Sequence, residues 1–384
     1  MAGSPGDIIR IGNSNGIRIP KTLLQQTKLE GKIELDVVGG QILIRPEGEP
    51  PVISDSAPLG IKTVTIGGGT GGFMLLSALR HYVGSITAIV NMSDDGGSTG
   101  ILRDEFGILP PGDIRQCLVA LSTTPEYMRE LFNYRFDEGS LKGHAFGNLL
   151  LTALEKIAGS FSGGVQLAEQ ILQVRGRVLP VTTSDVRVEA VFPDGTKVSG
   201  EHMLQQHDFS GNQPKLTLSP AAHITKEASS AIKEADLVII GPGDLHSSII
   251  PSLLPTGMSE ALRSTRAKKI YVSNLVNKPN TTKGMQVSDY VTQISDHLGF
   301  QPFDYVLYNI EEPSRQLIGK YMREGEEPIQ YDESVFAQAT YAAIGFELLS
   351  KGVAQPVADT LISRNLIRHD GDKLARAIMK TYFS

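Results

Sequence analysis

A short run of apolar and β-branched residues, IKTVTI, stops at GGGTGG (67–72), and FMLLSALRHY then continues with helical spacing. Strand, glycine loop and helix in immediate succession rule out a hairpin return, because the helix must cross over before the chain re-enters the sheet. The same ending recurs. SITAIV runs into NMSDDGGSTG (91–100), ADLVII into GPGDLHSS (241–248), KKIYV into a segment ending at Asn274, and DYVLYN closes at Asn309. An α/β protein with a parallel sheet is expected over residues 61–384, its ligand in the crevice beyond the carboxyl ends of the strands.

That placement selects the candidate residues. Gly67, Gly68, Gly69, Thr70 and Gly71 would bring backbone N–H groups and a helix N-terminus against a phosphate. No Gly-Lys-Ser/Thr follows, so the loop is not a Walker A motif. Gly241, Gly243 and Asp244 make a second loop of this kind, which suits a two-part ligand such as a nucleotide sugar. Asp94 and Asp95 stand at the strand end where an acid takes a ribose hydroxyl, or where a pair ligates Mg²⁺ beside a diphosphate. Asp95 is expected to meet the ligand or its metal, with Asp94 orienting the loop; the plain alternative is an acid that only caps its turn. In GILPPGDIRQCLVALS, Asp113 sits at the head of a helix, where capping alone would explain it. Arg103 and Arg115 are the nearby cations with fork geometry for phosphate oxygens, or else members of ion pairs. His144 and Asn148 precede the helix NLLLTALEKIAG, and Asn274 ends a strand.

Composition narrows the classes. Net charge is −6 with 40% hydrophobic residues, no balance for a wholesale nucleic-acid binder. The single cysteine, Cys117, excludes an intramolecular disulfide framework and suits a reducing cytoplasm. No apolar run is long enough to insert in a membrane, and MAGSPGDIIR lacks a signal-peptide pattern. The chain also lacks a Cys/His metal cluster, a GxSxG elbow and an HExxH helix.

Residues 8–46 differ in kind. Strand-like pieces (IIRI, IRIP, KIELDVV, QILIRP) surround a short helical one, TLLQQT, and the proline-rich EGEPPVISDSAPLG follows as a linker. So small a unit has too little core to fold alone, which points to an intertwined homodimer or higher oligomer. The pattern R-x-GNS-x-x-x-RIP, with Arg10, Gly12-Asn13-Ser14 and Arg18-Ile19-Pro20, resembles the AbrB/MazE family of swapped-hairpin DNA-binding domains. The resemblance implies that Arg10, Asn13 and Arg18 face DNA. The module's basic residues are matched by acids, so dimerisation without DNA is the competing reading. The expected division is 1–47 as this head, 48–60 as linker and 61–384 as the α/β domain.

In that larger part IGGGTGG, DDGGSTGxLR, GILPPGDIRxCLVAL, GHxFGNLLLxAL, ADLVIIGPGxL and LIRHDGDKLA follow in order. Together they resemble the gluconeogenesis-factor family, the YvcK-like branch of the CofD (2-phospho-L-lactate transferase) superfamily. The resemblance implies a Rossmann-like doubly wound sheet that binds UDP-sugars such as UDP-N-acetylglucosamine, influencing carbon metabolism and cell-wall growth without established catalysis. The CofD branch implies instead an Mg²⁺-dependent transfer from an NDP-linked donor, with Asp94, Asp95 and Arg115 as the catalytic candidates. Pro110-Pro111-Gly112-Asp113 follows the YvcK-like branch. This chain departs from the family in two loops, reading Asn277-Lys-Pro-Asn-Thr-Thr282 for TQPGET and GPGDLHSS for GPGSLYTS.

Overall fold

The computed structural model describes residues 8–11, 14–17, 19–21, 24, 31–38, 41–46, 59–209, 211–314, 318–319, 322–323, 325–350 and 367–384. Seven parallel strands form the central sheet: β1 (Leu59–Ile66), β2 (Val83–Val90), β3 (Arg177–Pro180), β4 (Leu237–Ile240), β5 (Lys268–Val272), β6 (Tyr305–Asn309) and β7 (Ala342–Phe346). Their order across the sheet is 3-2-1-4-5-6-7. This is the Rossmann-like arrangement, with the chain reversing its direction of growth between β1 and β4. Right-handed crossovers that step outward on either side of that point place helices on opposite faces.

Coverage on both faces explains the sequence of β4. All four residues of LVII are fully buried, as a central parallel strand requires, so the run shows no polar alternation. Each such side chain contributes about 1.5–3 kcal/mol by leaving water. The helix Gly69–Leu79 buries Leu75, Leu76 and Leu79 in the same core, and the last helix, Gly371–Phe383, contributes Leu374, Ile378 and Met379.

Between β3 and β4 the chain makes a three-stranded antiparallel insert, with Arg187–Val191 central between Lys197–Ser199 and Lys215–Ser219. A short helix, Glu201–Gln206, follows the hairpin. In the amino-terminal region Ile8–Ile11 pairs antiparallel with Ser14–Ile17, and Ile33–Val38 with Gln41–Pro46. The expected strand IRIP thus starts and ends earlier, with Gly16 paired to Ile9. Among the described residues no helix is long and apolar enough to cross a membrane.

Candidate functional site

Register brings the strand ends level at the reversal point. Ile66 of β1 pairs with Ile89 of β2 and with Ile240 of β4, and Ile240 pairs with Tyr271 of β5. Each chain then leaves the sheet at one height. The Gly67 N–H donates to Ile89 O at 3.1 Å, and the Gly241 N–H to Ile66 O at 3.1 Å. The two glycine loops lie against each other because they carry no side chains. A Cβ on Gly71 would stand 2.6 Å from Pro242 O, and one on Gly68 would stand 2.1 Å from Asp113 Oδ2. Gly69 and Thr70 open the helix Gly69–Leu79, whose first N–H groups have no partner within the helix. No side chain of its own caps that helix. Asp113 does so from outside, accepting the Gly69 N–H.

Asp113 therefore does not cap its own helix as expected. That helix spans Gly112–Leu121 with Pro111 at the N-cap, and Asp113 lies in its first turn, facing the glycine loop. Burial, with the nearby Asp94 charge, pushes the Asp113 carboxyl up to about 7, against the pull of the Gly69 N–H and Arg115. Asp94 is raised by burial, although it accepts the Gly96 N–H at 2.9 Å and a hydrogen bond from Thr99. Its Oδ2 lies beside Gly112, where a Cβ would come within 3.0 Å. Glu201, at the start of the insert's helix, is raised well above the usual carboxylate range by burial and by the charges of Asp94, Asp113 and Asp244. Asp244 moves the other way. Burial alone would raise it, but the Lys278 ammonium at 2.6 Å, with His246 and the Ser247 N–H, holds it well below the usual range. Four carboxylates thus share one field beyond the strand ends. Among the described residues no group of three or more His, Cys, Asp or Glu side chains is arranged to hold a metal ion.

Asp95 is committed elsewhere. Its Oδ1 accepts the His202 N–H at 2.9 Å and its Oδ2 pairs with Arg187 at 3.3 Å, so it clamps the insert to the loop after β2. Arg115 is an interior group at 1% exposure. It donates to Asn148 Oδ1 at 3.0 Å and to Asn133 and Phe132. Asn148 passes the contact to Ser98, and Ser98 meets His144 Nδ1 at 3.1 Å. The structure thus joins Arg115, Asn148 and His144 in one scaffold behind the Asp94 loop. Arg103 is equally engaged, with Asp185, Val186 O and Asp94 O.

Asn274 lies two residues beyond β5, and its buried Oδ1 has no hydrogen-bond partner among the described residues. The same holds for Ser248 Oγ and for both ring nitrogens of His246, which packs edge-on to Phe209 at 4.9 Å. Burial lowers His246 to about 4, so the ring is neutral near pH 7. Glu201, Lys278, Arg187 and His246 escaped the sequence reading. Lys278 and His246 carried a signal, since each sits in a loop that departs from the family pattern, and Lys278 pairs with Asp244, another departing residue. Asn13 and Arg18 lie outside the described residues, and of Arg10 only the backbone, in the strand Ile8–Ile11, is described.

A parallel sheet of this order, with two glycine loops meeting at its switch point, defines an α/β protein of the Rossmann-like class. The sequence matches the family described as 2-phospho-L-lactate transferase CofD over residues 63–349. The gluconeogenesis factor of Bacillus subtilis (strain 168) is 36% identical over 319 residues, 83% of this chain and 97% of that protein. The gluconeogenesis factor of Halalkalibacterium halodurans is 37% identical over 320 residues, 83% and 96% of the two chains. An X-ray crystal structure of a Bacillus halodurans protein superposes with a TM-score of 0.76 at 36% identity, covering 83% of this chain and 99% of that one. The chain belongs to the CofD family, and its relatives place it in the gluconeogenesis-factor branch.

Proposed function

We propose that this protein binds a nucleotide-linked sugar, a UDP-sugar foremost, as a cytoplasmic regulator of carbon metabolism and of cell-wall and cell-shape control. The observation that carries this reading is the contact of the two glycine loops at the switch point, where Gly71 meets Pro242 O and Gly68 meets Asp113. Two backbone cradles side by side suit the two phosphates of a nucleoside diphosphate, which accept N–H groups and favour a helix N-terminus. In this reading Gly67 to Gly71, Gly241 and Gly243 take the diphosphate. Asn274, Ser248 and His246 supply polar atoms for sugar or base. Arg115, Asn148 and His144 hold the loop of Asp94 in place.

Mg²⁺ fits the same site. It binds through one or two carboxylates together with phosphate oxygens and water. Asp94 and Asp113 suit that role, since the Asp94 charge disfavours ionisation of Asp113 and a divalent cation would relieve it. Asp95, expected to serve here, already spends both oxygens on Arg187 and the His202 N–H.

Thermal shift and calorimetry with UDP-N-acetylglucosamine, UDP-glucose, GTP and GDP, each with and without Mg²⁺, test the reading. A ligand at 100 times its dissociation constant stabilises by about 2.7 kcal/mol. UDP-sugar stabilisation without turnover, weakened in Asp94→Asn, is the expected result; no shift with either UDP-sugar removes the proposal. One observation favours a transferase instead: a crevice carboxyl near 7, as in Asp113, is poised for proton transfer. That reading requires Mg²⁺-dependent consumption of an NDP-linked donor. For residues 8–46 we propose a dimeric DNA-binding head joined by the 48–60 linker, on the strength of its motif. A salt-sensitive mobility shift abolished by Arg18→Ala is expected, and no shift leaves a dimerisation clip.

A further inference from the structure

We infer that Lys278 is the cation that receives the ligand's anionic group, held on Asp244 until the ligand arrives, so that the Lys278–Asp244 pair sets the affinity of the crevice for a nucleoside diphosphate. The inference rests on the nucleotide reading and deepens it by naming the charged side chain that reading needs.

An anion entering this crevice meets Asp94, Asp113, Glu201 and Asp244, and it requires a cation to offset them. The arginines nearest those acids are occupied. Arg115 lies in the interior on Asn148, Asn133 and Phe132, and Arg103 is bonded to Asp185, Val186 O and Asp94 O. Lys278 differs from both, since its side chain is 43% exposed and its ammonium rests on Asp244 Oδ2 at 2.6 Å. Glu201 and Glu326 add to the negative field around it, which keeps it charged.

The two partners differ in freedom. Asp244 is fixed by its second oxygen, which accepts the Ser247 N–H at 2.9 Å and caps the helical turn Leu245–Ile249. It follows Gly243, which packs against Gly68 O, so it stands at the junction of the two glycine loops. Lys278 sits on a flexible four-carbon stem, and only it can leave.

Nor does the loop need the ion pair to hold its shape. The Lys278 N–H donates to Thr282 Oγ1 at 2.8 Å, Asn277 Nδ2 donates to Met285 O at 2.8 Å, and Tyr290 OH donates to Asn277 Oδ1 at 2.9 Å. These contacts fasten residues 277–285 without the ammonium. An ion pair surplus to the loop, at a ligand edge, is a lock on the ammonium rather than a brace for the backbone.

The test is calorimetric titration of UDP and UDP-N-acetylglucosamine into the full chain as wild type, Lys278→Gln and Asp244→Ser, at two salt concentrations. Serine at 244 keeps the cap on Ser247. Lys278→Gln is expected to weaken both ligands about tenfold or more and to flatten the salt dependence. Asp244→Ser is expected to tighten them about threefold or more, because the ammonium no longer has to be released. A gain of that kind cannot come from damage to the fold. Unchanged binding in Lys278→Gln, or weaker binding in Asp244→Ser, overturns the inference while leaving the nucleotide reading intact. A wild type that binds neither ligand overturns both.

Discussion

At Gly68 the backbone is extended, with φ at −163°, so any residue could adopt it; the constraint comes from a neighbour. A methyl group there would overlap the Asp113 carboxylate at 2.1 Å. Gly68→Ala is expected to cost roughly 1–3 kcal/mol, as overpacking does, and to lower the thermal midpoint. In an Asp113→Gly background the same change should cost clearly less. Equal losses in the two backgrounds, measured as a double-mutant cycle, would remove the contact as the cause. The sequence marked GGGTGG as a loop that must approach something, and five glycines in six positions would suggest a ligand alone. It could not show that one of those approaches is to an aspartate 45 residues downstream. The same limit hid Glu201. A carboxylate on a short helix after a hairpin has no local pattern, and its role exists only because the insert folds back over the strand ends.

Elements were more legible than their contacts. IKTVTI, SITAIV, ADLVII, KKIYV and DYVLYN all lie in the parallel sheet, because continuous β-branched runs bounded by glycine and asparagine fit a strand covered on both faces. Asp194-Gly195 turns a hairpin in which Arg187–Val191 pairs with Lys197–Ser199. The strands Arg177–Pro180 and Ala342–Phe346 were not read, being short edge strands with little apolar signal of their own. Lys215–Ser219 buries Leu216 alone and has little strand signal of its own, forming by pairing with Arg187–Val191. The insert is fastened to the sheet through Asp95, which holds the first turn of Glu201–Gln206 and Arg187 together. Asp95→Ala is expected to cost about 1–2 kcal/mol, the magnitude of a lost helix cap. Its signature is local: faster amide exchange over 197–207 with little change in β4. Uniformly faster exchange across the sheet would show that Asp95 supports the whole domain instead.

At the scale of the molecule the sheet order matters most, because it converts residues far apart in sequence into one surface. Asp94 and Asp113 come from the connection after β2, Glu201 from the one after β3 and Asp244 from the one after β4, and they share a field only through the reversal between β1 and β4. The last segment of the chain closes on the same region. Leu349 bridges to His369, and His369 makes a hydrogen bond to the backbone of Ser273, just past β5. Burial lowers His369 to about 4, as it does His246. Both folded values lie below the unfolded one near 6.5, so the unfolded chain binds protons first on acidification. The stability these neutral rings contribute is complete above pH 6.5 and is lost as the pH falls toward 4. His369→Gln removes one such group. At pH 7.5 it is expected to lower the thermal midpoint through lost packing and the lost bond to Ser273. Between pH 6.5 and 4 the gap to wild type should narrow steadily, since only the wild type must then protonate that ring to unfold. A gap that stays constant over this window would mean that His369 is already charged or already solvated in the folded protein.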